Sequence, residues 1–239
     1  ALAAHFGAWV ASLDETTLTH SLLFVTAHPL VIVVGMLLLA SRIENVRLPY
    51  KTETIGAVIC FVGAAITLTD TGTTQGDQTV TLYGDLLAFS GAVFVVGYIV
   101  VGRILRTWLP IFLYAFPVTA IGALLLIPFS WKFEQGFTDF GVVGWIDDEF
   151  FRYFLLLALI AGVLGHTGLN TCLRYISPLI VSVAVTLEPV LGSIIGWMFF
   201  DAGVPGRLTW VGGLVLMAGL MTVVIASERG ALSKANNQN

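Results

Sequence analysis

Long apolar runs separated by short polar stretches dominate the pattern along the chain. A bilayer core about 30 Å thick takes roughly 20 apolar residues per helix. Eight runs meet or approach that length: 1–13, which is short, 17–40, 54–70, 82–105, 110–130, 151–174, 177–200 and 208–226. Turn-forming stretches join them, among them TGTTQGDQT, DAGVPGR and the longer SWKFEQGFTDFGVVGWIDDEF. The pattern predicts an all-α fold, a polytopic membrane helix bundle.

Composition points the same way. Of 239 residues, 57% are hydrophobic and 11% charged, and the mean hydropathy is +0.91. A soluble domain of this size needs far more polar surface to cover its core, whereas a lipid-facing surface needs none. The net charge of -4 carries little information, and the eleven basic residues are scattered too thinly to make a nucleic-acid patch. Cys60 and Cys172, the only cysteines, both sit in apolar runs, so no disulfide is expected.

Lys and Arg gather on the cytoplasmic side of membrane proteins. Arg42, Arg47, Lys51, Arg103, Arg106, Arg174, Arg229 and Lys234 fall on one side, eight against the three of Lys132, Arg152 and Arg207 on the other. The first side is read as cytoplasmic, which puts the polar tail SERGALSKANNQN inside, where it is expected to be disordered. Most acids, including Asp70, Asp77, Asp85, Asp147, Asp148 and Glu149, lie on the opposite side.

Self-similarity adds a second layer. Set 172–200 under 12–40, and Pro189 falls under Pro29 without a gap, each after a polar residue, Glu188 or His28. Set 211–222 under 55–67, and Gly212 falls under Gly56 and Gly219 under Gly63. The offset moves only from 160 to 156, so one loop differs by four residues. The later copy has five spans; because five is odd, tandem copies enter the membrane in opposite directions, the inverted repeat of many secondary transporters. Residues 1–70 are read as the end of a first, partial repeat, 82–226 as the second and 227–239 as the cytoplasmic tail. The opening ALAAHFGAWVASLDETT lacks an initiator Met and a basic n-region, so it reads as a helix cut open, and the chain as a fragment of a ten-span parent.

The run Glu188, Pro189, Gly192, Gly196, Asp201, Gly212, Gly213 and Gly219 resembles the end of the repeat in EamA-type transporters of the drug/metabolite transporter superfamily, relatives of nucleotide-sugar and other solute carriers. The resemblance implies ten helices in two five-helix repeats around a central cavity, lined mainly by the third, fourth, eighth and ninth helices with the first and sixth. His28 departs from the family pattern, where a Glu or a small residue is commoner.

An ionisable group at membrane depth is costly and needs a reason. Glu188 reads either as a proton or cation site or as a protonated carboxyl bonded to backbone freed by Pro189. His166 and Asn170, four residues apart, share a helix face that Arg174 extends, and His5 with Trp9 repeats that spacing on the related helix. Cavity lining competes here with plain interhelical hydrogen bonding. His28 and Tyr98 complete the substrate-cavity set His5, Trp9, His28, Tyr98, His166, Asn170 and Glu188, with Pro29 and Pro189 as helix breakers; Tyr114 is a further aromatic, and His20 is read as solvated. The glycine-rich stretches GAVICFVGAA and GGLVLMAG lack the Lys-Ser/Thr of a phosphate loop. With no catalytic, metal or cofactor constellation, an enzyme is disfavoured.

The leading expectation is a carrier or exporter of a small organic metabolite working by alternating access. The alternative is a membrane scaffold or receptor binding partners through external loop 131–150. Proton coupling through Glu188 and passive exchange fit equally well, and a homodimer stays open. A plasma or bacterial inner membrane is the expected location, with an organelle membrane as the alternative.

Overall fold

The computed structural model describes residues 1–43, 46–69, 79–133, 143, 146–199 and 204–236; among them are helices and loops and no strand. The helices are α1 (Leu2–Glu15), α2 (Leu18–Val25), α3 (His28–Leu39), α4 (Lys51–Thr69), α5 (Leu82–Arg106), α6 (Ile111–Phe133), α7 (Asp148–Leu156), a π-helical segment (Leu157–His166), α8 (Thr167–Cys172), α9 (Pro178–Val185), α10 (Glu188–Phe199) and α11 (Arg207–Asn236). Among the described residues six stretches are long and apolar enough to cross a membrane: His20–Leu39, Lys51–Thr69, Leu82–Arg106, Ile111–Lys132, Phe150–Cys172 and Arg207–Gly230. Of the other two expected runs, the first is the 14-residue α1, which stops where Thr17 starts a new helix by capping the His20 amide. The run at 177–200 reaches past the described residues, among which it is represented by the apolar stretch Pro178–Gly192. Outward apolar side chains such as Phe116, 77% exposed, and Leu124, 65% exposed, give α6 the surface that lipid requires.

The bounds of the broken helices recur 160 residues apart: α2 and α9 begin at Leu18 and Pro178, and α3 and α10 end at Leu39 and Phe199. The hydrogen bonding recurs with them. Thr17 and Ser177 each cap the amide three residues on. At the breaks the Thr26 hydroxyl donates to the Leu22 and Leu23 carbonyls, and the Thr186 hydroxyl to the Val183 carbonyl. Pro29 and Pro189 therefore stand in the first turn of α3 and α10, where a missing N–H is tolerated.

The closest helix crossing is antiparallel and joins α4 to α11. A Cβ on Gly56 would lie 2.9 Å from the Gly219 carbonyl oxygen, and one on Gly63 would lie 2.8 Å from that of Gly212. Glycines equivalent in the sequence repeat thus meet crosswise, as across a two-fold axis, and only the missing side chains allow the backbones so near. Cys60 and Leu216, also 156 residues apart, lie between these pairs; the Cys60 thiol donates to the Leu216 carbonyl at 3.5 Å. On another side α5 lies against α1 and α2. There Thr16 Oγ1 donates to Asp85 Oδ1 at 2.9 Å and His20 Nδ1 lies 3.2 Å from Asp85 Oδ2, so His20 is held in an ion-pair position and is only partly solvated.

Two stretches differ from their sequence reading. The tail expected to be disordered continues α11 as far as Asn236, because ASERGALSKA is rich in helix formers. The run at 151–174 is interrupted by the π segment, in which Gly162 and Gly165 weaken the α preference and no residue is buried to enforce its register. Asp70, Asp77, Asp201 and most of loop 131–150 lie outside the described residues.

Candidate functional site

Five of the sequence-predicted residues fall in one cluster where α1, α5 and the helix through His166 and Asn170 approach. His5, buried on α1, places Nδ1 2.9 Å from the Gly91 carbonyl of α5. That carbonyl only accepts, so Nδ1 carries the proton and, in the neutral ring, Nε2 is an acceptor. Trp9, one turn on, stacks with His5 at 6.1 Å between ring centroids. Phe6 between them reaches across to His166, 5.5 Å away edge-on, and His166 meets Tyr98 of α5 at 6.2 Å. Asn170, 1% exposed, donates through Nδ2 to the Tyr98 hydroxyl and to the His166 carbonyl, the latter at 2.7 Å. Tyr114 stacks on Tyr98 at 6.5 Å and closes the cluster from α6. Gly102 leaves room for the pair, since a Cβ there would lie 2.9 Å from the Tyr114 hydroxyl and 3.4 Å from Asn170 Oδ1.

Three polar atoms here are buried without a hydrogen-bond partner: Trp9 Nε1, His166 Nδ1 and Asn170 Oδ1. Buried polar groups are nearly always satisfied, so three orphans in one neighbourhood set this cluster apart and call for an explanation. Among the described residues no His, Cys, Asp and Glu side chains are grouped to hold a metal ion.

His28 and Glu188 stand at the two helix breaks, and the His28 imidazole lies within electrostatic reach of His5. His28, 5% exposed at the start of α3, places Nδ1 2.8 Å from Ser182 Oγ of α9. By the 160-residue offset, the equivalent of Ser182 is Leu22, which offers no hydrogen bond, and the Glu188 side chain is exposed. Nothing is described of the Pro189 ring. Arg174 is exposed beyond the end of α8, its guanidinium 6.0 Å from the Tyr175 ring, and does not extend the His166–Asn170 stripe.

Several residues escaped the sequence reading. Phe6 looked like one more apolar position, although its spacing from His5 and Trp9 puts it in the same helical turns. Arg106, counted only as a cytoplasmic charge, is 3% exposed and donates to the Asn170 and Leu109 carbonyls. Glu53, fully buried, accepts from Arg47 at 2.6 and 2.8 Å, from the Tyr50 amide at 2.8 Å and from the Ser227 hydroxyl at 2.5 Å. The Glu53 hydrogen bonds hold the Arg47 guanidinium above its ordinary pKa. A cavity of about 270 Å³ lies between α8 and α9 beside Asn170, lined by Leu169, Cys172, Ile176, Ile180, Val181, Ala184 and Val185. Its lining is apolar throughout and offers no polar group to orient a ligand, unlike the cluster with the orphaned polar atoms.

No curated protein matches the chain. Residues 82–225, more than half of the chain and covering α5 to most of α11, match the EamA-like transporter family. With its apolar membrane-crossing helices, the chain therefore belongs to the EamA-like transporter family, as a multi-pass membrane transporter of the drug/metabolite superfamily.

Proposed function

We propose that the chain carries a small organic metabolite across its membrane by alternating access. The observation that carries this reading is the paired break: α2/α3 and α9/α10 are interrupted at equivalent threonines, with the same bounds and caps, and touch through His28 and Ser182. Broken helices in related halves are where secondary transporters bind substrate and rock. Residues 82–226 serve as one five-helix repeat and 1–70 as the end of an inverted one, with the antiparallel α4–α11 crossing on the axis between them. The cluster of His5, Trp9, Tyr98, His166 and Asn170 is the substrate site, while His28 and Glu188 stand at the breaks. The excess of Lys and Arg on one side supports a cytoplasmic C-terminus; a plasma or bacterial inner membrane is the proposed location, with an organelle membrane as the alternative.

The test is flux in proteoliposomes made with the chain, using a panel of labelled metabolites. Saturable uptake that falls in His28→Ala and Glu188→Gln, with both variants still inserting, supports the reading. Unchanged flux of every metabolite in both variants removes these two residues from the mechanism, and no flux at all removes the transporter.

A further inference from the structure

The three orphaned atoms differ in what they demand. Trp9 Nε1 is a donor only, so its partner must accept. Asn170 Oδ1 is an acceptor only, and the amide cannot be turned over, because Nδ2 donates to the His166 carbonyl, which cannot donate in return. Its partner must therefore donate. His166 Nδ1 takes either role according to its tautomer. The Tyr98 hydroxyl already accepts from Asn170, which leaves its own proton free to donate. The walls are flat: the rings of Phe6, Trp9, Tyr98, Tyr114 and His166 are linked by centroid distances of 5.5 to 6.5 Å.

Among the described residues the cluster holds no carboxylate to balance a cation, and the guanidinium of Arg106, the cation beside it, is turned to the main-chain carbonyls of Asn170 and Leu109. We propose that the ligand of this site is an uncharged planar ring that carries both a hydrogen-bond acceptor and an N–H donor, the chemistry of a cyclic amide or lactam. The inference rests on the cluster being the substrate site and adds what that substrate must present.

The test is equilibrium binding to the full chain in lipid nanodiscs, read by calorimetry, with 2-pyridone as the probe. N-methyl-2-pyridone lacks the donor, benzoate is the anionic ring, benzylammonium the cationic one and benzene the apolar one. The expected result is saturable binding of 2-pyridone, with the N-methyl ring weaker by about tenfold, as for loss of one buried hydrogen bond, and the other three weaker still. Trp9→Phe keeps an aromatic ring and removes only the orphaned donor, so it should weaken 2-pyridone by about tenfold without lowering the melting temperature. Asn170→Leu should also lose the ligand, but Trp9→Phe carries the test because Asn170 ties its helix to α5. Tighter binding of benzoate or benzylammonium than of 2-pyridone, indifference to Trp9→Phe, or no saturable binding of any ring overturns the proposal. Binding without flux of any bound ring leaves this proposal standing and sinks the carrier; flux of charged metabolites with no 2-pyridone binding does the reverse.

Discussion

His28 Nδ1 and Ser182 Oγ, 2.8 Å apart, bind the break of one long helix to the segment just before the break of its repeat counterpart. Both groups are buried, and the equivalent pair across the repeat is Glu188 and Leu22, which cannot form that bond. In the proposed alternating access, opening one repeat against the other would therefore break or carry along a hydrogen bond on one side of the molecule only. Ser182→Ala should leave the buried imidazole without its partner and cost about 1 to 3 kcal/mol of stability. A thermal melt in detergent checks it, and a double-mutant cycle with His28→Ala isolates the pair: Ser182→Ala should then cost little in the His28→Ala background.

The α4–α11 crossing predicts a sharp contrast between glycines. In Gly212→Ala the new methyl would sit 2.4 Å from Thr67 Oγ1 and 2.6 Å from the Gly63 carbonyl oxygen, so the backbones must part. Overpacking of this kind costs about 1 to 3 kcal/mol or more. Gly35→Ala on α3 meets nothing within 4 Å and replaces a poor helix former by the best one, so it should be neutral or stabilising by up to about 1 kcal/mol. Equal losses of folded protein in the two variants, measured by size-exclusion recovery after heating, would show that the close approach does not govern assembly.

The helical bundle and most of its membrane-crossing stretches were legible because lipid imposes a length and an apolar surface that sequence records directly. Gly56, Gly63, Gly212 and Gly219 could be paired as equivalents, yet nothing in their spacing said that each would touch the other's counterpart crosswise; contact across an axis is a property of packing, not of period. The i, i+4 spacing of His166 with Asn170, and of His5 with Trp9, was readable, whereas Phe6 was not, since an apolar residue between polar ones carries no mark of which neighbour it meets. Arg106 and Glu53 lie near helix ends, where a charge ordinarily means solvent. Only the chain partners that cover them, the Asn170 carbonyl for one and Arg47 with Ser227 for the other, turn them into buried groups. The π segment was invisible because an i to i+5 register leaves the apolar composition unchanged.

Glu53 predicts an order of damage among variants. Arg47→Ala leaves a fully buried carboxylate with only the Tyr50 amide and the Ser227 hydroxyl, and breaking a buried pair from one side costs about 3 to 5 kcal/mol. The Arg47 side chain is 34% exposed, so water offsets part of that, and the lower end of the range is expected. Glu53→Gln removes the charge; its single carbonyl oxygen can still accept from the Tyr50 amide, and its NH2 can donate to the Ser227 hydroxyl in place of the bond that oxygen now accepts, so it should be milder. Melting temperatures in the order wild type, Glu53→Gln, Arg47→Ala are expected; a reversed order would mean that the carboxylate, not its pairing, is what the fold relies on.

The two thiols report on the same crossing without perturbing it. Cys60 is buried between α4 and α11, with its thiol on the Leu216 carbonyl, while Cys172 is exposed at the end of α8. Thiol reactivity follows access as well as acidity, so a membrane-permeant maleimide should modify one cysteine per folded chain, and Cys172→Ser should abolish the labelling. Denaturation should expose Cys60 and raise the count to two. Labelling of Cys60 in folded Cys172→Ser chains would mean that α4 and α11 part during the working cycle, and the axis pair would then be a moving element instead of the fixed support on which the broken helices rock.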